Sequence, residues 1–305
     1  MKFLVTGGAG FIGSNFVEHL IENRSDAEVV VLDKLTYAGE KSNIEAYLDE
    51  VKFVEGDIQD RDVTRDLVSE ADVVVNFAAE SHVDRSIESG EPFIDSNVRG
   101  AHNLMEVAVE EGVKKFVQIS TDEVYGSLEE GKASEDSRLD PSSRYSATKA
   151  SADMIANAMR VTHDLPVCTV RPTNNYGPRQ HEEKLIPKFI TRARNGEKLP
   201  LYGDGSNVRD WLYVKDNCRA IELVAEKGEP GEIYNVGAQN FRTNLEVTKM
   251  ILDRLDRSED LIEFVEDRAG HDQRYAVDTE KIEQLGWSPE VSFKTGIEKT
   301  IEHYT

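Results

Sequence analysis

With 305 residues, 39% of them hydrophobic, the chain has material for a full core, either as one large α/β domain or as a domain with a smaller lobe. A formal charge of -22, from 58 acidic against 36 basic residues, opposes binding to a nucleic-acid backbone, which clustered Lys and Arg must neutralise. No run approaches the roughly 20 apolar residues that span a bilayer. The opening MKFLVTGGAG also lacks the apolar stretch and cleavage site of a signal peptide, so no membrane partner and a cytoplasmic location are expected.

Cys168 and Cys218 lie far apart without CxxC or Cys/His spacing, which argues against a disulfide framework or a zinc site. His82 and His271 read as hydrogen-bonding groups, and no metal is expected. The acid surplus has two readings: an ordinary acidic surface, or a halophilic one whose self-repulsion is screened by concentrated salt.

In chain order, short β-branched runs alternate with longer segments of helical period. Strands are predicted near Lys2–Thr6, Glu28–Asp33, Lys52–Glu55, Asp72–Asn76, Lys115–Ser120 and Val167–Arg171. Amphipathic helices are predicted between them at Phe11–Asn23, Asn97–Glu111 and Ser146–His163. That alternation implies a doubly wound parallel Rossmann sheet with right-handed helical crossovers. After Arg171 come loops rich in Pro, Gly and Asn, with a helix around Leu185–Asn195 and a strand at Leu199–Tyr202. A helix at Val214–Glu226 and a strand at Glu232–Val236 return to the sheet, and a helix at Leu245–Leu255 follows. The expected division is a dinucleotide-binding domain of residues 1–172 and 210–236, with a smaller, discontinuous α/β substrate lobe of 173–209 and 237–305.

The segment VTGGAGFIG, Val5 to Gly13, places Gly7, Gly10 and Gly13 at the junction of the first strand and first helix, with Phe11 and Ile12 between them. Missing side chains there permit a tight turn, bring backbone N–H groups against a pyrophosphate, and let helix and strand pack closely. Asp33 follows Gly13 by 20 residues at the end of the second strand, where a carboxylate accepts bonds from a ribose diol. The same charge repels a 2′-phosphate, so NAD is expected over NADP. Further cofactor contacts are expected from Lys34, Leu35 and Thr36 and from the ends of later strands: Asp57, Ile58, Phe77, Ala78, Ala79 and Ser81. Asp57 serves equally well as a helix cap before Gln59.

Tyr145 and Lys149, four residues apart, share one helix face, so the ammonium can lower the phenol's pKa. Tyr37 and Lys41 have the same spacing. Position separates the pairs, because Tyr145 follows by 24 residues a strand that ends in Ser120 and Thr121. Bringing a phenol from about 10 to neutrality takes about 4 kcal/mol, which an ammonium and a positive nicotinamide can supply in a dry cleft. Thr121 would orient the substrate hydroxyl, and Asp122 and Glu123, at the same strand end, could act as acid and base in eliminating water.

With these motifs assembled, the chain resembles the dTDP-glucose 4,6-dehydratases within the extended short-chain dehydrogenases. The resemblance runs almost end to end: TGGAGFIGSN from Thr6, AAESHVDRSI from Ala78, STDEVYG from Ser120, YSATKAS from Tyr145, NNYGP from Asn174, EKLIPKFI from Glu183, RDWLYVKD from Arg209 and DRAGHDQRY from Asp267. It departs in a short loop after Tyr125 and in Ala269, where a proline is usual.

The resemblance implies that Tyr145 and Lys149 drive oxidation at C4, Glu123 removes the C5 proton, and Asp122 protonates the departing C6 hydroxyl. It implies NAD as cofactor, a nucleotide-diphosphate sugar as substrate, and a homodimer through the helices Asn97–Glu111 and Arg144–His163. Substrate contacts are implied for Ser81, Thr121, Asn174, Lys184, Leu185, Pro200, Leu201, Tyr202, Arg209, Asn244, Asp267, Arg268 and His271. Ser96 and Asn175 are assigned to the cofactor side. Uridine in place of thymidine stays open as the base. A 4-epimerase or decarboxylase is disfavoured because such enzymes typically lack the Asp-Glu after the strand-end Thr, and an NAD-sensing scaffold because every catalytic residue is present.

Overall fold

The computed structural model describes residues 1–267 and 270–305. Seven parallel strands form the central sheet: β1 (Lys2–Thr6), β2 (Glu28–Asp33), β3 (Val51–Glu55), β4 (Val73–Asn76), β5 (Lys115–Ile119), β6 (Val167–Pro172) and, later in the chain, β10 (Ile233–Val236). Their order is β10-β6-β5-β4-β1-β2-β3, so the direction of winding reverses between β1 and β4. Both faces are covered, which explains the near-continuous apolar runs. Alternate residues serve opposite cores: Phe3, Val5, Val29 and Val31 pack on one side, Leu4, Val30 and Leu32 on the other.

The first face is covered by α1 (Phe11–Asn23) and a later helix, α8 (Val214–Lys227), through Phe16, Val17, Leu20, Ile221 and Val224. The second is covered by α2 (Arg61–Val68), α5 (Ala101–Glu111) and α6 (Arg144–His163) through Leu67, Leu104, Met105, Ala152 and Met159. The short helices α3 (Val83–Glu88) and α4 (Glu91–Phe93) precede α5, and π-helical residues 94–100 join α4 to it. The helix expected from Asn97 is therefore α-helical only from Ala101. Helix α6 starts two residues before its expected first residue, at a capping box of Ser143 and Ser146.

The remaining elements build a second core around Phe189, Leu199, Trp211, Ile251 and Phe293. They comprise β7 (Asn174–Tyr176), α7 (Leu185–Arg194), β8 (Leu199–Tyr202), β9 (Val208–Tyr213), β11 (Phe241–Thr243), α9 (Asn244–Arg254), β12 (Ile262–Val265), α10 (Glu280–Gln284) and α11 (Phe293–Tyr304). β9 lies between β7, parallel, and β11, antiparallel, while β12 pairs with β8. Ile282 and Trp287 pack instead with the first face of the central sheet.

Buried Asp216 joins the two cores. One carboxylate oxygen accepts the backbone amides of Glu290 and Val291 at 3.2 and 3.0 Å, and the other accepts Arg219 at 2.6 Å. Truncating it leaves two partly buried amides and the Arg219 guanidinium without their acceptor. Asp216→Ala should cost about 3 kcal/mol in urea unfolding, and Asp216→Asn, which keeps one acceptor, about half of that.

Candidate active site

The strand ends of β1, β2, β4 and β5 open into a cleft of about 1130 Å³. At its floor Gly7 holds a positive φ of 68°, and a Cβ there would sit 2.6 Å from the Ala78 amide nitrogen. A Cβ on Gly13 would lie 2.2 Å from the Gly7 carbonyl oxygen, so α1 approaches β1 as closely as two backbones allow. Gly10 caps α1 with no side chain, which leaves first-turn amides facing the cleft, the arrangement that holds a pyrophosphate.

Asp33 ends β2 with both oxygens engaged: one accepts the Ala9 amide at 3.0 Å, the other the Leu35 amide at 2.8 Å. Burial pushes its carboxyl above the ordinary range, and the two amides oppose that rise. Gly39 passes so close that a Cβ would lie 2.7 Å from the carboxylate. Lys34 bridges Asp57 at 3.3 Å and Ser96 at 3.1 Å. Asp57 lines the cleft and accepts the Gln59 amide at 3.0 Å within a turn, but it is not the helix cap that the sequence also allowed: α2 starts at Arg61 and is capped by Asp60.

Gly7, Gly10, Phe11, Ile12, Gly13, Asp33, Lys34, Thr36, Asp57, Ile58, Phe77, Ala78, Ala79, Ser81, Ser96, Tyr145 and Lys149 all line this cleft. Leu35 does not: its left-handed backbone, φ 54°, serves the turn that caps Asp33. Asn175 lies in the neighbouring pocket, of about 1010 Å³. That pocket also receives Glu123, Asn174, Lys184, Leu185, Pro200, Leu201, Tyr202, Arg209, Asn244 and His271. Gln180 and Lys184 line both spaces, and Lys184 Nζ donates to the Ser81 carbonyl at 3.0 Å, which makes them one continuous site. Asp267 stands just behind, bonded to His271 Nδ1 at 2.6 Å, and Arg268 falls outside the described residues.

Thr121, Asp122 and Glu123 follow β5 at the seam. Thr121 is extended, and its hydroxyl accepts the Glu123 amide at 3.3 Å, which caps the 3-10 turn of residues 122–125. Its side chain also bonds Tyr145 in the first turn of α6. Asp122 is buried behind Glu123, and its Oδ2 has no hydrogen-bond partner. Burial, and then the Glu123 charge, hold its carboxyl well above the ordinary range, a shift that favours the acid form.

One electrostatic expectation is reversed. The Lys149 ammonium donates to the Ile119 carbonyl, and burial depresses its pKa to about 8. Tyr145 is pushed up, first by burial and then by the Glu123 charge, with Thr121 working against the rise. The protein alone therefore does not ready the phenol as a base, because desolvation and the neighbouring Glu123 charge outweigh the Thr121 hydrogen bond.

Of the residues that line the second pocket, His82 and Arg209 were singled out in the sequence, whereas Tyr275 and Trp211 escaped it. His82 sits in the second pocket with a pKa pressed to about 4, first by burial and then by Lys184, so it is neutral there. Arg209 donates to the carbonyls of Val208 and Asp272 at 2.8 and 2.9 Å and lies 4.4 Å over the Tyr275 ring. Tyr275 and Trp211 both line the pocket, and neither carried a motif signal beyond its place inside one. Among the described residues no group of His, Cys, Asp or Glu is arranged to hold a metal ion, and no helix is long and apolar enough to cross a membrane.

Because the folded-state pKa of Asp122 lies above its unfolded value, the folded state loses stability from this group as pH rises from about 4 through that pKa. Asp122→Asn should therefore be the more stable protein at pH 8, by roughly 1–3 kcal/mol, with the gain shrinking toward pH 5. Urea titrations of both proteins at the two pH values measure it, and equal stabilities throughout would place an ionised carboxylate there.

Comparison with known proteins agrees with this geometry. The family model described as GDP-mannose 4,6 dehydratase matches residues 4–300. The chain is 58% identical to the low-salt glycan biosynthesis protein Agl12 of Haloferax volcanii, over 100% of this chain and 98% of the relative. It is 48% identical to a dTDP-glucose 4,6-dehydratase of Streptomyces antibioticus, over 100% and 92%. The crystal structure of the dTDP-glucose 4,6-dehydratase DesIV of Streptomyces venezuelae, with NAD and TYD bound, superposes with a TM-score of 0.97 at 47% identity, over 100% and 97%. A chain matched this fully, in sequence and in structure, belongs to the GDP-mannose 4,6 dehydratase family.

Proposed function

We propose that the chain is an NAD-dependent dTDP-glucose 4,6-dehydratase, a lyase that releases water and leaves a 4-keto-6-deoxy sugar nucleotide. The observation that carries this reading is the junction at Thr121: Tyr145 and Lys149 line one space, Glu123 the next, and Asp122 is buried behind them with its pKa raised. An epimerase needs no such acid and base.

The glycine floor, where a Cβ on Gly7 or Gly13 would collide with backbone, fits the pyrophosphate of NAD, and Asp33 fits its adenosine ribose. NAD, when bound, accepts two electrons with the C4 hydrogen, returns them at C6, and adds the positive nicotinamide charge that Tyr145 lacks in the protein alone. Tyr145 takes the proton of the C4 hydroxyl, which Thr121 orients. Glu123 then removes the C5 proton made acidic by the new ketone. The C6–O bond breaks, and Asp122 gives its proton to the departing hydroxyl, which leaves as water. As hydride comes back to C6, Glu123 returns its proton to C5, and the proton taken by Tyr145 offsets the one Asp122 gave up. Arg209, its guanidinium held flat between carbonyls and the Tyr275 ring, suits a diphosphate.

Supplied with dTDP-glucose in low and molar KCl, the protein should yield a product lighter by one water with no net NADH, and UDP-glucose should react more slowly. Tyr145→Phe should lose about a hundred-fold or more in kcat, and Glu123→Gln should halt elimination while an NADH absorbance builds up. An epimerised sugar of unchanged mass would overturn the assignment.

A homodimer completes the proposal. On α6, Met154 and Val161 are 63% and 62% exposed, an apolar face that a second copy would cover. Light scattering at micromolar concentration should give twice the chain mass in both salts, and a monomer in both would exclude the dimer.

A further inference from the structure

Behind the catalytic pair lies a charge arrangement the reaction itself does not use. Asp153 stands one helical turn beyond Lys149 on α6 and is buried, as is Arg171 on β6. One carboxylate oxygen, Oδ2, accepts both Arg171 Nε at 2.9 Å and Ser120 Oγ at 2.9 Å. The other, Oδ1, is buried with no hydrogen-bond partner. Lys149 donates to the carbonyl of Ile119, the residue just before Ser120. Two consecutive residues at the end of β5 are thus gripped by one turn of α6, by Lys149 at the carbonyl and by Asp153 at the next hydroxyl. Thr121, Asp122 and Glu123 follow directly.

The groups that face Asp153 are few. α6 contributes Lys149, the residue just after β5 contributes Ser120, and β6 contributes Arg171. Arg171 in turn donates to Tyr125 Oη at 2.7 Å and to the Glu135 carbonyl at 3.4 Å. One carboxylate therefore pairs directly with buried Arg171 and, from one helical turn away, bears on the charge of buried Lys149. Two cations buried without an anion would repel each other and drive the lysine to shed its proton, since an arginine cannot.

We propose that Asp153 is a positioning residue of the active site, which fixes the end of β5 through Ser120 and supplies the negative charge opposite the Lys149 ammonium. It rests on the reading of Tyr145 and Lys149 as the proton-handling pair. Asp153 touches no reacting atom. Its influence passes through Lys149, whose ammonium burial weakens and Asp153 supports.

The decisive measurement is the titration of Lys149, followed by NMR in protein carrying 13C at the lysine ε-carbons, with the signal assigned by its loss in Lys149→Arg. Asp153→Asn should lower the Lys149 midpoint by about one pH unit or more. The alkaline limb of its kcat profile on dTDP-glucose should move down by the same amount, and Asp153→Glu should restore part of both. An unmoved Lys149 midpoint in Asp153→Asn overturns the proposal. Should wild type fail to turn over dTDP-glucose, the functional reading falls, yet the titration still decides the role of Asp153 because it needs no substrate. Should Asp153→Asn fail to fold, Ser120→Ala carries the test: it keeps both charges and cuts only the anchor. There kcat should fall several-fold with the Lys149 midpoint unchanged, and an unchanged kcat overturns the positioning role.

Discussion

The burial of charge at the end of β5 is the constraint on which the site depends. Asp122 from the turn after β5, Lys149 and Asp153 from α6 and Arg171 from β6 are every one withdrawn from water. Ions in such surroundings either find a partner or change protonation state, and both outcomes occur here. Arg171 and Asp153 pair, whereas the pKa of Asp122 rises well above the ordinary range. A seven-stranded parallel sheet, covered on both faces, is stiff enough to hold these groups at their separations, and the strand ends are the one place where such a sheet opens to a ligand.

The sheet and its glycine turn were legible in the sequence because they obey simple repeats. Val29–Leu32 is apolar without interruption because both faces of the strand are buried, and the spacing of Gly7, Gly10 and Gly13 follows from the contact of α1 with the turn after β1. β9 was hidden because Val208–Tyr213 carries Arg209 and Asp210 in its interior, charges that a strand accepts only when other elements satisfy them. Asp210 is satisfied by the amides of Gln239 and Asn240, far along the chain, and no local pattern records that. β7 and β11, three residues each, are too short for any periodicity.

The site was legible in the same uneven way. Residues within contiguous motifs fell along one cleft, whereas Leu35 turned out to shape it without lining it. The sign of the electrostatic effect on Tyr145 could not be read, because residue spacing reveals which charges are near but not how much water has been removed. Tyr275 and Trp211 were missed for a related reason: an aromatic residue at a pocket wall looks, in sequence, like one in a core.

The triple engagement of Asp33 bears on how cofactor preference could be altered. Its carboxylate orders the turn after β1 through Ala9 and the turn after β2 through Leu35, with Gly39 packed against it. Exchanging this residue to admit a 2′-phosphate would release both turns together, so the pocket would lose its shape along with its charge. A change of cofactor in this scaffold is thus a redesign of two loops and the glycine that closes over them, out of reach of any single replacement.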